Sequence, residues 1–405
     1  MNILYISTSC SPRKYQEVYE MRTVKAIEPQ QKFNALLIEG ISKQSDVKVT
    51  ALSALPVSAS TCSVKYFQYE EECISGSLTY QYIPFRNGRM TRVYDTYVNT
   101  RKYLKKWIIS TAGEDRYIIA DALSLFMTSG CFDLARKYKI PFIGIVTDLP
   151  ELSTNMKSRN ESFFKKTALD LFQKASTKSL AKYCAYITLT ESLYEAVDIK
   201  QVKPHIIVEG STDSTIEYNE KSKKHKAVVY AGGVYEKYGV KNLVEAFASI
   251  DTDIELHIYG DGTYASKITD ISKTHPNIIY KGVVSLEDIV RIEEESLLLV
   301  NPRPSNEEFS KYSFPSKTLE YMASGTPLLS TKLPGIPIDY FNYIYTFEDE
   351  SDMGFVRSLF NVLKKDTQEL RDKGRQAFEF VSREKTNIKQ GKRIVEFLKK
   401  LKCYE

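Results

Sequence analysis

Apolar and polar residues alternate in blocks along the second half of the chain, with strand-like and helix-like spacing in turn. Continuous apolar runs, the pattern of buried strands, lie at 227–233, 254–260, 277–284 and 296–302. Apolar residues at helical spacing lie between them, near 242–250, 264–272 and 286–295. Strands that alternate with helices predict a parallel, doubly wound sheet.

The first half is less regular but indicates the same α/β class. Its predicted strands lie at 2–7, 35–39 or 47–51, 117–122, 141–147 and 185–189. Because 405 residues are too many for a single hydrophobic core, we expect two domains joined by a polar linker near 200–225. The expected division is 1–208, 209–385 and a last helical segment, 386–405.

Residues 296–331 carry the clearest functional pattern. A buried strand is followed by a polar loop and a short helix that opens at Pro315 and Ser316 and closes at Gly325. Free N–H groups at such a helix start favour a phosphate. Glu320 follows Ser316 by four residues on the same face, where its carboxylate could reach a ribose.

The segment FPSKTLEYMASGTP, residues 314–327, resembles the donor-nucleotide segment of glycosyltransferase family 4, in its bacterial polysaccharide-assembly form. The resemblance implies a GT-B fold: two Rossmann-like domains facing a cleft, with a C-terminal helix crossing back to the first. It also implies a nucleotide-diphosphate sugar donor, a retaining outcome and a ribose contact from Glu320. Pro315, Ser316 and Lys317 form the implied phosphate turn.

A second donor loop is expected at GGVYEKYG, residues 232–239, where Gly232 and Gly233 let the backbone approach a ligand. The family usually has an arginine and a lysine here, and the corresponding positions hold Gly233 and Tyr238. Lys237, a candidate catalytic cation, is one residue out of register. Other basic residues that could substitute are Arg303, Lys311 and Lys317. The family's first loop glutamate is also missing, because Tyr312 takes its place.

On the acceptor side, Asp148 follows the predicted strand 141–147. Family members often place a functional histidine or acid at this strand end, so Asp148 is the candidate catalytic acid. Asp121 is a weaker candidate. All four histidines lie at or after the linker and cannot take this role.

Charge is uneven along the chain: residues 1–208 carry 28 basic and 20 acidic side chains, whereas residues 209–405 carry 28 and 31. Segments 86–108 and 155–183 combine basic and aromatic residues, a pattern typical of an anionic membrane surface. An RNA-binding face would look alike, but the acceptor implied by the resemblance favours the membrane and no nucleic acid.

No run of about 18 apolar residues predicts a transmembrane helix, and the start MNILYISTSC predicts a strand and not a signal peptide. We therefore expect a cytoplasmic protein, peripheral on the inner face of the membrane. Six scattered cysteines suggest reduced thiols, and no metal or other cofactor is expected if basic groups neutralise the diphosphate.

The leading hypothesis is a retaining glycosyltransferase that moves a hexose to a growing, lipid-linked oligosaccharide in extracellular or capsular polysaccharide synthesis. The missing family arginine, lysine and glutamate keep open a catalytically inactive GT-B partner or glycan-binding subunit. A sugar-nucleotide 2-epimerase shares the fold and is the third alternative.

Overall fold

The computed structural model describes residues 1–23, 29–149, 163–197, 202–220 and 225–401. The chain divides into two compact units. The first comprises Met1–Ser211 with Asn387–Glu405, and the second comprises Thr212–Thr386. The sequence predicts these divisions after residues 208 and 385.

The first unit is built on a large sheet. Its strands are β1 (Asn2–Ser7), β2 (Lys48–Ser53), β3 (Tyr66–Phe67), β4 (Glu70–Ser75), β5 (Leu78–Tyr82), β6 (Phe85–Arg86), β7 (Arg116–Asp121), β8 (Phe142–Val146), β9 (Ala185–Thr188) and β10 (His205–Ile207). Eight of them pair in the order β10-β9-β8-β7-β1-β2-β5-β4, with only the β4–β5 pair antiparallel, and β3 and β6 form a separate antiparallel pair. Strands β1, β8 and β9 are buried along their whole length, which explains their continuous apolar runs.

Helices flank this sheet. They are α1 (Pro12–Met21), α2 (Pro29–Ser42), α3 (Arg89–Ser110), α4 (Leu125–Thr128), α5 (Phe132–Lys137), α6 (Phe163–Leu180) and α7 (Glu191–Val197). The alternative strand prediction at 35–39 is wrong, because this apolar run lies in α2. There, Leu37, Ile38 and Ile41 are fully buried in the core of the unit, at the spacing of one helix face.

The second unit is a purely parallel sheet with helices between its strands. The strands are β11 (Ala227–Ala231), β12 (Glu255–Tyr259), β13 (Ile278–Gly282), β14 (Leu298–Asn301), β15 (Leu328–Ser330) and β16 (Tyr345–Thr346), in the order β13-β12-β11-β14-β15-β16. The helices are α8 (Val240–Ala248), α9 (Ala265–Ile271), α10 (Leu286–Glu295), α11 (Phe309–Tyr312), α12 (Ser316–Ala323), α13 (Asp352–Leu363) and α14 (Thr367–Glu384). Two 3₁₀ turns are at Glu236–Tyr238 and Ile338–Asn342. The strands and helices predicted from 227 to 302 are all present.

The order of the second sheet reverses between β11 and β14. From β11 the chain proceeds outward to β12 and β13, then returns to β14 on the other side. In open parallel sheets, ligands bind at the carboxyl edge beside this reversal. The loops that follow β11 and β14 are therefore the expected position of a site.

The last helix, α15 (Asn387–Lys399), belongs to the first unit and packs on α2. The two helices approach closely at glycines: a Cβ on Gly391 would lie 2.2 Å from the carbonyl carbon of Gly40. Ile394 and Leu398 are fully buried in the same core. Complete burial of such a side chain contributes roughly 1.5–3 kcal/mol. Two doubly wound α/β domains with a C-terminal helix returning to the first confirm the predicted fold class.

Candidate functional site

Helix α12 begins without a cap. Pro315 occupies the cap position with φ −74° and ψ 106°, and no side chain accepts a hydrogen bond there. Phe314 and Pro315 are buried, whereas Ser316 is exposed. Buried residues thus fix the start of the helix. The Thr318 N–H donates to the Pro315 carbonyl at 2.8 Å, and the N–H groups before it in the first turn remain available to an anion.

Glu320 lies one turn into this helix and forms an ion pair with Lys317. The Lys317 Nζ is 3.1 Å from the Glu320 Oε2 and 3.6 Å from the Glu293 Oε1 of helix α10. The Glu320 side chain is 27% exposed, but that of Glu293 is only 5% exposed. The three side chains form a cluster in which one ammonium bridges two carboxylates.

Electrostatics favour the charged form of this lysine. Burial disfavours the Lys317 ammonium, but the carboxylates of Glu320 and Glu293 outweigh burial, so the pKa of Lys317 is raised. Lys317 is therefore positively charged near neutral pH, and the carboxylates of Glu320 and Glu293 are its counter-charges.

Helix α12 is joined directly to strand β11. The buried Tyr321 hydroxyl accepts a hydrogen bond from the Ala231 N–H at 2.9 Å and donates one to the Ala231 carbonyl at 3.0 Å. Because Tyr321 follows Glu320 and Ala231 precedes Gly232, this contact sets the helix beside the glycine loop. The glycine loop and the helix that carries Glu320 therefore lie beside each other in the second unit.

The glycine loop packs against aromatic rings and a neighbouring loop. A Cβ on Gly233 would lie 3.0 Å from the Tyr238 ring, and one on Gly232 would lie 3.0 Å from the Tyr230 hydroxyl. Gly239 has a φ of 78°, and its Cβ would lie 1.8 Å from the Pro302 carbonyl oxygen. Only glycine suits position 239, and its contact holds the loops after β11 and β14 together.

The two candidate cations of these loops differ in their surroundings. Lys237 is exposed, with its Nζ 5.2 Å from the centre of the Tyr238 ring. Arg303 is half-buried, with its Cζ 5.1 Å from the centre of the Tyr238 ring and 5.4 Å from that of Phe309. Each cation lies over two rings, since the Lys237 Nζ is also 5.9 Å from the centre of the Tyr235 ring, but only Arg303 of the two is half-buried.

Two residues of the site escape the sequence analysis. Glu293 belongs to a run of three acids that resembles a solvated helix end, yet it lies four residues after Ile289 on the inward stripe of α10. The helical spacing of Glu293 after Ile289 is therefore a sequence signal that indicates its inward position. The partner of Tyr321 could not be found in this way, since Ala231 is 90 residues earlier.

The acceptor-side candidates lie in the first unit. Asp148 follows β8 and is half-buried, and its Oδ1 accepts a hydrogen bond from the Leu149 N–H at 2.8 Å. Burial raises the pKa of the Asp148 carboxyl, and the Leu149 bond offsets part of the effect. Asp121 is buried and accepts hydrogen bonds from Leu123 and Ser124, so its carboxylate shapes a turn.

The basic segment 86–108 forms most of α3, and its aromatic residues divide between two environments. Tyr103 and Trp107 are buried, whereas Tyr94 and Tyr97 are exposed. Met90 and Val98 extend the exposed stripe. Of segment 155–183, residues 155–162 lie outside the described residues.

The parallel sheet, its reversal point and the uncapped helix beside it have the arrangement that α/β folds use to bind ligands at the carboxyl edge of the sheet. Residues 225–363, about a third of the chain, match the family model described as Glycosyl transferases group 1. The second unit therefore carries a glycosyltransferase domain of this family, which confirms the resemblance. No curated protein matches the sequence.

Solved structures share the whole fold. Sucrose-phosphate synthase from Thermosynechococcus elongatus has a TM-score of 0.65 at 12% identity, covering 98% of each chain. The lipopolysaccharide outer core galactosyltransferase WaaB has 0.61 at 15%, covering 99% of this chain and 100% of its own. HepE from Anabaena, in complex with UDP, has 0.59 at 12%, with the same coverage. At these identities the likeness establishes the GT-B fold.

Proposed function

We propose that the protein is a retaining glycosyltransferase that transfers a hexose from a nucleotide-diphosphate sugar to a growing, lipid-linked oligosaccharide. The uncapped start of α12, with Glu320 one turn behind it, carries the proposal. The helix start takes the diphosphate, and Glu320 accepts hydrogen bonds from the ribose. The family match at 225–363 and the UDP bound to HepE support this class of donor.

The reaction needs little covalent help from the protein. The acceptor hydroxyl attacks the anomeric carbon, the bond to the diphosphate breaks, and negative charge develops on the leaving group. Helix N–H groups and a nearby cation stabilise that charge. Gly232 and Gly233 admit the donor to the loop, and basic groups neutralise the diphosphate without a metal, so excess EDTA should leave transfer intact.

Asp148 is the proposed acceptor-side acid, and Lys237 remains a predicted catalytic cation. Asp148 holds the acceptor hydroxyl through its ionised carboxylate and receives its proton. General-base assistance of this kind contributes typically about 10²–10⁴ in rate.

The exposed stripe of α3 is the proposed membrane contact. Met90, Tyr94, Tyr97 and Val98 lie on one helix face, and the exposed cations Arg89, Lys102 and Lys105 lie on the same helix. Aromatic and apolar residues beside cations suit an anionic leaflet. No helix in the described residues has the length and apolarity needed to cross a membrane. We place the enzyme on the inner face of the cytoplasmic membrane, in extracellular or capsular polysaccharide synthesis.

A thermal-shift screen with UDP-, GDP- and dTDP-sugars tests the donor assignment. Wild-type protein should be stabilised by one nucleotide class, and Glu320→Ala should lose most of that shift. Glu308→Ala removes an exposed carboxylate nearby and serves as the control. Equal shifts in all three proteins would remove Glu320 from the site. Donor binding without transfer would favour the inactive subunit, and interconversion of free sugar nucleotides without acceptor would favour the epimerase.

A further inference from the structure

Arg303 is a charged side chain held by rings and not by a counter-charge. Its guanidinium lies over the Tyr238 and Phe309 rings, at 5.1 and 5.4 Å from their centres. Among the residues that the structure describes, it forms no hydrogen bond or ion pair. Aromatic faces attract a guanidinium without neutralising it, so its positive charge remains available.

Burial makes this arrangement costly without an anion. It lowers the pKa of Arg303, and the hydroxyls of Tyr238 and Tyr230 offset part of that effect. Arginine nevertheless stays protonated in proteins, so the group remains a desolvated cation. Such a charge is stabilised when an anionic ligand completes its contacts.

The surrounding loops fix where this charge lies. Arg303 follows Pro302, whose carbonyl packs against Gly239. The Tyr238 ring also occupies the space beside Gly233, the position where the resemblance leads us to expect an arginine. A long side chain at 233 would collide with that ring, and Arg303 supplies a guanidinium on the same ring from another loop.

Lys317 has the opposite character. Its ammonium bridges Glu320 and the buried Glu293, at 3.1 and 3.6 Å. Because two carboxylates neutralise this ammonium, it attracts a phosphate only weakly. The Lys317 ammonium instead holds the Glu320 carboxylate in one position.

We propose that Arg303 is the cation that binds the donor diphosphate, and that Glu293 and Lys317 are positioning residues that hold Glu320 for the ribose. This inference rests on the proposed function and divides its site into two parts. A guanidinium can contact two phosphate oxygens at once, as a leaving diphosphate requires.

Calorimetric binding of UDP, GDP and dTDP, each paired with its nucleoside, separates the two parts. Arg303→Gln should bind the preferred diphosphate about 10- to 100-fold more weakly, the loss expected for a charge-assisted hydrogen bond. It should bind the nucleoside as the wild type does. Arg303→Lys should recover part of the loss, because a lysine keeps the charge but not the planar fork.

Lys317→Gln and Glu293→Gln should weaken diphosphate and nucleoside by the same factor, because both contain the ribose. Lys317→Arg should restore binding, since it can still bridge both carboxylates. Lys281→Gln, which removes an exposed cation of strand β13, is the control and should bind as wild type does.

Three results would overturn the inference. Unchanged diphosphate binding by Arg303→Gln would exclude Arg303 as the cation that binds the diphosphate. A selective loss of diphosphate binding in Lys317→Gln or Lys237→Gln would assign that role to the lysine concerned. In either case wild-type binding keeps the proposed function intact. If wild-type protein binds none of the three diphosphates, the proposed function falls as well.

Discussion

The Tyr321 hydroxyl bonds both backbone groups of Ala231, the last residue of strand β11. One phenol thus completes the end of a central strand and sets the helix that carries Glu320. The contact links stability to the proposed donor site, since the same hydrogen bonds that satisfy a buried peptide also position the Glu320 carboxylate.

Tyr321→Phe should reduce both properties. It leaves a buried N–H and carbonyl without a partner, which costs about 1–3 kcal/mol in the free energy of unfolding. Nucleotide affinity should fall as well, because α12 loses its link to the glycine loop. Urea denaturation and calorimetry measure the two effects. Tyr235→Phe, which alters an exposed tyrosine of the same loop, is the control and should change neither.

Asp148→Asn should lower transfer about 100-fold and leave nucleotide binding unchanged, because the carboxylate serves the acceptor. Initial rates at saturating donor measure the first effect, and calorimetry the second. A variant that retains full activity would exclude Asp148 as the acceptor-side acid.

The same substitution should stabilise the fold at neutral pH. Burial raises the pKa of Asp148, so the folded state binds its proton more tightly than the unfolded state. Its stabilising contribution is full below the unfolded pKa of about 3.9 and is lost as pH rises through the folded pKa. An asparagine does not ionise, so the variant does not lose this stability as the pH rises. Its Tm should therefore exceed the wild-type value at pH 7. The difference should shrink toward about pH 4. The exposed Asp251→Asn should show no such trend.

The α3 stripe predicts a selective loss of membrane binding. A Met90→Ser, Tyr94→Ser double variant should float with anionic liposomes about tenfold less well at low salt, because it loses apolar area that enters the interface. Ile74→Ser removes an apolar side chain that is 48% exposed on strand β4, outside this helix, and is the control. If wild-type protein remains at the bottom of the flotation gradient at low salt, that result would contradict the proposed membrane contact. Binding to single-stranded RNA in its place would favour the nucleic-acid alternative.

The crossing of α2 and α15 predicts a packing defect. Gly391→Ala places a methyl group against the Gly40 backbone, and overpacking of this kind costs about 1–3 kcal/mol. Gly76→Ala meets no atom within 4 Å and is the matched control. Helix propensity and chain entropy both favour alanine over glycine at position 391, so a fall in the denaturation midpoint reports the crossing, and an unchanged or raised midpoint would contradict the prediction.

The elements that can be predicted from sequence are those in which a single strand or helix carries the whole signal. The strands of the second half, the helix at Ser316 and the last helix follow from apolar spacing and from proline and glycine at helix ends. The small strands between Tyr66 and Arg86 were not predicted, because β4 is an exposed edge strand whose Glu70, Glu71 and Glu72 give no apolar run.

The site is only partly accessible from sequence, because its side chains meet across loops. Glu320 and the predicted phosphate turn are indicated by a pattern within one short segment, so the sequence alone suggests them. Arg303 appeared as one of several possible cations, and only the structure distinguishes it from Lys317, whose ammonium pairs with two carboxylates. Glu293 and the Ala231 contact of Tyr321 depend on packing between elements far apart in the chain.

The return of α15 to the first unit has a consequence for biosynthesis. The second unit is one uninterrupted stretch, whereas the first contains both chain ends. On the ribosome, the early residues must wait for the last helix before their core can close, so the later stretch can finish folding first. A nonsense mutation just before Asn387 would therefore destabilise the first unit and leave the second unit able to fold.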